Sequence, residues 1–352
     1  MDLAIVLAKK GGGNVNPNPQ VGALIVKEGR IIGQGYHEKY GEAHAEINAF
    51  KDCNESPEGA TLYVTLEPCA HQGKHPPCFE AIIKNRIKCV VIGHLDPNPL
   101  VSGKGIKAMR EAGIEVSFNV LEKECEELNK IFFYYVSQGL PYVMMKYAMT
   151  LDGKIATSAG QSKWITGEIA RQKVHQDRSR FMAIMIGVET LILDDPQLSV
   201  RLEKGKNPIR IICDTHLRSP LASKIVSTAT EIPTIIATAE SDPEKQAPFL
   251  KAGCEIILVS CLEGRLNLKE LTKKLGEKEI DSIILEGGGT LNASALKAGI
   301  VQTYIAPKIF GGKEAPSPVE GHGIEQPNQA YLLERPQITY LGEDILLESE
   351  LL

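Results

Sequence analysis

The sequence has no excess of basic charge. Its formal net charge is −5 over 352 residues, so no broad attraction to nucleic acid or to an anionic membrane is expected, although a local basic pocket for a phosphate stays compatible. It has no apolar run long enough to span a bilayer; "VMMKYAM" and "FMAIMIGV" are far too short. Its start, "MDLAIVLAKKGGG", lacks the basic-then-apolar order and the small-residue cleavage site of a secretory signal. These absences point to the cytoplasm, where the eight cysteines are expected to stay reduced. A disulfide between Cys69 and Cys78 is thereby disfavoured, and metal binding or plain burial must account for them. Internal repeats and low-complexity linkers are also missing. The second half has no G-x-G-x-x-G, which disfavours an ordinary Rossmann dinucleotide site.

What remains is ordinary globular composition, 43% hydrophobic and 24% charged. The chain exceeds the roughly 250–300 residues at which single cores stop growing, so two domains are expected. Short apolar runs alternate with helical patterns, which indicates α/β architecture throughout. "VGALIV" (21–26) and "RIIGQGY" (30–36) flank a hairpin turn, "ATLYVT" (60–65) and "KCVVIG" (88–93) read as buried strands, and 121–138 reads as one long amphipathic helix. That helix stops at "GLP" (139–141), so the domains are set at 1–141 and 142–352. A second series follows, including "YVMMKYAMTLDGKIA", "IRIIC", "TIIAT", "EIILVS" and "DSIILEGGG".

Three features of the first series suit catalytic zinc. "HAE" (His44, Ala45, Glu46) opens a helix, "EPC" (Glu67, Pro68, Cys69) follows a buried strand, and Cys78 comes after eight intervening residues. A catalytic zinc site takes three protein ligands and keeps one position open. His44, Cys69 and Cys78 supply one imidazole and two thiolates. Zinc brings the pKa of its water from near 15.7 to about 7. A carboxylate outside the ligand set must then move the proton to the leaving amine, and Glu46 is two residues from His44. Taken singly, H-x-E recurs by chance and a cysteine is more often a buried hydrophobe. His71 and His75, between the cysteines, are alternative ligands or plain loop residues.

With "PNPQVG" (17–22), "HAE", "TLEPCAHQGKHPPC" (65–78) and "DPNPLVSGKG" (96–105), the first domain resembles the deaminase domain of the bifunctional RibD riboflavin-biosynthesis family, whose metal pair has this same wide spacing. The resemblance implies a cytidine-deaminase-like three-layer domain that deaminates a diamino-phosphoribosylamino-pyrimidinone hydrolytically at zinc. By it, His44, Cys69 and Cys78 are the zinc ligands and Glu46 the proton carrier. Asn18, His37, Lys74, Asp96 and Asn98 fall at motif positions around the substrate. Lysine suits the phosphate and asparagine a pyrimidine edge. "PCAH" stands where the family has "PCSH", and Met1 falls inside the first helix where relatives have preceding residues.

The second domain offers "SIILEGGGTLNAS" (282–294), a strand, three glycines and a helix start at Thr290, where bare amides can hold a phosphate. "KYAMTLDGKIA" (146–156), "SKWITG" (162–167), "DDPQLSVR" (194–201), "LEGGGTL" (285–291) and "APKIFGG" (306–312) are similar to the reductase domain of the same family, which has a dihydrofolate-reductase-like α/β fold. This implies NADPH-dependent reduction of the ribosyl group to ribityl. Ala148, Trp164, Thr190, Asp194, Thr215, Gly288, Gly289, Thr290, Leu291, Asn292, Ala293 and Ser294 are the implied NADPH contacts. Ser162, Arg178, Leu198, Arg201 and Glu286 are the implied substrate contacts, with the arginines suited to a phosphate. Lys146, Asp194 and Glu286 are the ionisable residues suited to proton movement.

A nucleic-acid base deaminase predicts a C-x-x-C pair and a basic groove, and neither is strong here. A structural zinc module predicts a closed four-ligand site and gives Glu46 no purpose. The sequence thus anticipates Zn²⁺ and NADPH as cofactors, a small phosphorylated pyrimidine as substrate, no nucleic-acid or membrane partner, and assembly into a homo-oligomer.

Overall fold

A computed structural model describes residues 1–70, 76–98, 102–203, 205–295 and 299–352. They form two compact units, Met1–Gly139 and Leu140–Leu352. Each unit is built around its own sheet.

The first unit runs α1 (Asp2–Ala8), β1 (Gly22–Lys27), β2 (Arg30–Tyr36), α2 (Ala45–Asp52), β3 (Thr61–Leu66), α3 (Cys78–Lys84), β4 (Cys89–His94), α4 (Lys104–Glu111), β5 (Glu115–Ser117), α5 (Glu122–Leu128) and α6 (Lys130–Gln138). Strand order is β2-β1-β3-β4-β5. β1 is antiparallel to β2 and β3, while β3, β4 and β5 are parallel. Alternation along the strands makes two apolar faces. Ile25, Leu62, Val64, Val90 and Ile92 pack with Ala49, Ile82, Ile106 and Met109 from α2, α3 and α4. Leu24 and Tyr63 face Ala4 and Leu7 of α1 on the other side. Helices on both faces give three layers, which is why β3 and β4 read as near-continuous apolar runs. Gly22 lets α1 lie directly on β1, since a Cβ there would fall 2.0 Å from the Ala4 carbonyl oxygen.

The long helix anticipated over 121–138 is two helices, broken at Asn129 with φ −113. The Asn129 side chain is buried. It accepts from the Gln20 N–H at 2.8 Å and donates to the Gln20 carbonyl at 2.9 Å. A buried amide satisfied by distant backbone competes with helix continuation at its own residue. The amphipathic pattern is unaffected by that break, so periodicity alone misses it.

The second unit runs β6 (Tyr142–Thr150), α7 (Glu168–Arg180), β7 (Ala183–Gly187), α8 (Val188–Asp194), β8 (Ile209–Cys213), α9 (Lys224–Ser227), β9 (Thr234–Thr238), α10 (Pro243–Lys251), β10 (Glu255–Leu258), a small pair β11 (Cys261–Leu262) and β12 (Arg265–Leu266), α11 (Leu268–Glu277), β13 (Ser282–Leu285), α12 (Gly289–Ser294), β14 (Ile300–Ala306), β15 (Gln337–Leu341) and β16 (Asp344–Glu350). The main sheet has the order β10-β9-β8-β7-β13-β6-β14-β16-β15. It is parallel from β10 to β14, and β16 is antiparallel to both β14 and β15. In such sheets the loops beyond the carboxyl ends of the strands form the ligand crevice. The segments after β6, β7, β8 and β13 share that edge.

β8 also carries Arg210, 1% exposed. Its guanidinium donates to Thr234 and Thr228 hydroxyls and to the Ile225, Thr228 and Ile232 carbonyls. Burial pushes its pKa down to about 10. The role is structural: one cation pins the turn over 225–234 to the sheet.

Candidate active sites in the two units

In the first unit three element ends converge. His44 is the N-cap of α2, Cys78 opens α3, and Cys69 follows β3 by three residues. His44 Nδ1 lies 3.3 Å from Cys78 Sγ and 3.5 Å from Cys69 Sγ, and the three donor atoms all sit within 4.8 Å of one another. With Zn–S near 2.3 Å and Zn–N near 2.0–2.1 Å, a tetrahedral zinc sets N···S edges of roughly 3.6 Å. The donor types and spacing therefore fit zinc with a position left over. Among the described residues no other group of three His, Cys, Asp or Glu side chains is so placed. The Cys78 N–H also donates to Cys69 Sγ at 3.3 Å. Hydrogen bonds from Cys78 and from His44 hold the Cys69 thiol well below its ordinary pKa despite burial. A thiolate is thus ready for a cation.

Glu46 lies in the first turn of α2, 3% exposed, and is not one of the three donors. Burial, reinforced by Cys69, pushes its carboxyl up to about 6, against the opposing pull of His44. A carboxyl that titrates near neutrality can both take and give a proton.

Asn18 and His37 adjoin this cluster. Asn18 Nδ2 donates to His37 Nε2 at 3.1 Å, and His37 Nδ1 donates to the Ala43 carbonyl at 3.1 Å. Burial lowers the His37 pKa, which favours the neutral ring that this pattern needs. The His37 and His44 rings meet edge to face, centroids 5.4 Å apart. The Asn98 N–H donates to Asp96 Oδ1 at 2.8 Å in the turn after β4. Lys74, with His71 and His75, lies outside the described residues.

Sequence reasoning gave no part to Glu67, although it quoted "EPC". Buried at the end of β3, Glu67 accepts from the Gly103 N–H at 2.8 Å and the Asp96 N–H at 3.4 Å. It ties the Cys69 turn to the loop after β4 and to the start of α4. Only a buried carboxylate beside a zinc cysteine hinted at this.

In the second unit Glu286, the first residue after β13, accepts a two-pronged bond from Arg178 of α7. The distances are 2.7 Å from Nε and 2.9 Å from Nη2. Lys146 Nζ of β6 stands 3.5 Å from the same carboxylate, and side-chain exposure is only 14% for Lys146 and 11% for Glu286. Burial alone would raise the Glu286 pKa; Arg178 and Lys146 reverse that and hold it at about 2. The carboxylate stays ionised throughout the neutral range.

The other candidates of this unit stand on the carboxyl-end loops. Gly288 approaches Thr190 of α8, with a Cβ on Gly288 falling 3.7 Å from Thr190 Oγ1. α12 begins at Gly289 rather than Thr290; a Cβ at Gly289 would collide with Glu320 at 2.5 Å. Asn292 is buried and donates to the Pro318 carbonyl at 2.8 Å, and Leu198 is buried too, so both side chains serve packing. Trp164 is 59% exposed, with the Arg171 guanidinium 4.7 Å from its ring centroid. Lys308 Nζ donates to the Trp164 and Ile165 carbonyls at 2.8 and 2.6 Å. Ser162 precedes Trp164, Asp194 ends α8, Arg201 follows it on an exposed loop, and Thr215 follows β8. Asp152 accepts from the Gly311 and Phe310 N–H groups at 2.7 and 3.2 Å, closing the loop after β6 onto the loop after β14. "TLDG" and "IFGG" mark turns separately; nothing local in them announces that they pair.

Residues 1–94 match the family described as the cytidine and deoxycytidylate deaminase zinc-binding region, and residues 141–347 match the RibD C-terminal domain. The riboflavin biosynthesis protein RibD of Actinobacillus pleuropneumoniae is 51% identical over 351 residues, 99% of this chain and 93% of that one. A crystal structure from Thermotoga maritima, of a diaminohydroxyphosphoribosylaminopyrimidine deaminase and phosphoribosylaminouracil reductase, aligns with TM-score 0.90 at 38% identity, covering 100% of this chain and 97% of that one. Acinetobacter baumannii RibD aligns with TM-score 0.90 at 36% identity and the same coverage. The first unit has the cytidine-deaminase-like fold and the second the dihydrofolate-reductase-like fold that the sequence led us to expect. Matched in both units and aligned with relatives from end to end, the chain belongs to the RibD family of riboflavin biosynthesis proteins.

Proposed function

We infer that this one chain carries out two consecutive reactions. The first unit hydrolytically deaminates a diamino-phosphoribosylamino-pyrimidinone, and the second reduces the ribosyl chain of the product to ribityl. The observation that carries this reading is the His44–Cys69–Cys78 triad with Glu46 buried beside it, in a chain whose other unit matches the RibD reductase domain.

His44, Cys69 and Cys78 would hold zinc, which when bound supplies a water that is nucleophilic at neutral pH. Glu46, buried beside the triad and outside the ligand set, would take up the proton of the attacking water and return it to the departing amine. Asn18 turns its amide nitrogen to His37, which leaves its carbonyl oxygen for an N–H of the pyrimidine. Asp96 and Asn98 line the same region, and Lys74 pairs with the phosphate.

In the second unit NADPH supplies the hydride, and the protein aligns the sugar and moves protons. Ala148, Trp164, Thr190, Asp194, Thr215 and the segment Gly288 to Ser294 hold the cofactor, with Asn292 contributing backbone only. Ser162, Arg178, Arg201 and Glu286 surround the substrate, with Leu198 contributing backbone only. Glu286, held at about 2, is too weak a base and too fully ionised to donate near neutrality, so it orients. Lys146 beside it donates the proton to the opening sugar oxygen. Arg178 is engaged by Glu286 and by the Ser199 carbonyl, which leaves exposed Arg201 the better partner for the phosphate. The test is ammonia release from the diaminopyrimidinone phosphate without NADPH, followed by NADPH oxidation.

The net charge of −5 supports a small-molecule substrate without a nucleic-acid partner. No helix among the described residues is long and apolar enough to cross a membrane, and we place the enzyme in the cytoplasm. Homo-oligomer formation is supported by the edge strand β15, where Ile338 and Tyr340 on one face are 57% and 74% exposed. Light scattering should return a multiple of the 38.4 kDa chain mass, and Tyr340→Lys should reduce it; a single-chain mass for the unaltered protein contradicts the proposal.

A further inference from the structure

The Lys146 ammonium has a second neighbour besides Glu286. Its Nζ lies 5.6 Å from the centroid of the Tyr304 ring, over the ring face. The strand register brings this about: Gln302 partners Lys146 and Tyr304 partners Ala148 across β6 and β14. All four side chains therefore share one face of the sheet. Ala170 and Val174 of α7 pack on Tyr304 from above, with Leu346 of β16 beside it.

Tyr304 is wholly buried, and its far end is fixed. The hydroxyl stands 3.5 Å from both Asp177 Oδ2 and Gln302 Oε1. Those two are themselves held, Asp177 by Lys173 at 2.6 Å and Gln302 by Glu348 at 2.7 Å. Burial, with Asp177 and Glu348, raises the phenol far above its ordinary pKa. It has no proton to give near neutrality, and what it offers the site is its ring face.

We propose that Tyr304 is a positioning residue of the reductive step, its ring face holding the Lys146 ammonium beside Glu286 where the proton is delivered. A cation over an aromatic face is attracted by the ring quadrupole, most strongly where both are desolvated. The inference rests on the reading of Lys146 as proton donor.

The test uses the full chain with Phe at position 304, then mono-, di- and trifluorinated phenylalanine introduced by nonsense suppression. Fluorination drains the negative charge of the ring face at nearly constant volume. Tyr304→Phe should keep the reductive kcat within about threefold, the loss of one long hydrogen bond shared between two acceptors being small. The trifluorinated ring should lower kcat by roughly five- to thirty-fold, in graded steps, with the NADPH KM unchanged. Ammonia release by the same samples should not move. A flat series, or a full loss already with Phe, overturns the proposal, because packing or the hydroxyl would then be the operative feature. Lys146→Met separates the two readings. If that variant reduces substrate at the normal rate, the donor reading fails; if it is inactive while the series is flat, only the Tyr304 inference fails.

Discussion

Glu46→Gln should leave a chain that keeps its zinc and loses deamination by about 10²–10⁴-fold in kcat, the usual contribution of a positioned acid–base group. Glutamine has nearly the volume of glutamate, so the 3% exposed position at the start of α2 stays filled. The donor atoms of His44, Cys69 and Cys78 are not altered, and zinc measured by mass spectrometry should remain at the unmodified stoichiometry. What disappears is a buried carboxyl beside the triad, pushed up to about 6 by burial and so suited to moving a proton. NADPH oxidation with substrate already deaminated should be unaffected. Normal ammonia release by this variant would remove Glu46 from the mechanism, and loss of zinc would make it a structural residue instead.

Lys146→Met should lower the reductive kcat by at least about 100-fold while ammonia release continues. Methionine matches the aliphatic stem of lysine, and the Arg178–Glu286 pair, at 2.7 and 2.9 Å, survives the change. Stability should therefore drop little. Glu286→Ala provides the contrast: it leaves two largely buried cations facing each other, and breaking such a buried pair costs about 3–5 kcal/mol. Comparing the two denaturation midpoints distinguishes loss of a proton donor from loss of a charge cluster. A Lys146→Met chain with normal reduction would mean that Lys146 only accompanies Glu286.

The zinc triad was legible because its ligands come in short local motifs whose residue types have few other uses. "HAE" and "EPC" sit at element ends, and element ends are where strands and helices deliver side chains to a common edge. The sheet order was not legible, since nothing in "SIILEGG" announces that β13 lies between β7 and β6. That order brings Glu286, Arg178 and Lys146 together from positions 146, 178 and 286. Motif resemblance singled out each of the three without showing their mutual bonds. Tyr304 reads in sequence as one more residue of an apolar strand, and its relation to Lys146 exists only through the β6–β14 register. Asn129 misled periodicity for the same reason, its partner Gln20 being 109 residues away. Contacts that depend on long-range pairing leave no periodic or compositional mark.

Two sites with separate chemistry in one chain is the central claim, and a two-stage assay on a single sample addresses it most directly. The purified protein is given the diaminopyrimidinone phosphate without NADPH and ammonia is counted, after which NADPH is added and its oxidation is followed. The account predicts one ammonia per substrate in the first stage and one NADPH oxidised per deaminated product in the second. Ammonia release that waits for NADPH, or NADPH oxidation unaccompanied by prior deamination, would contradict it.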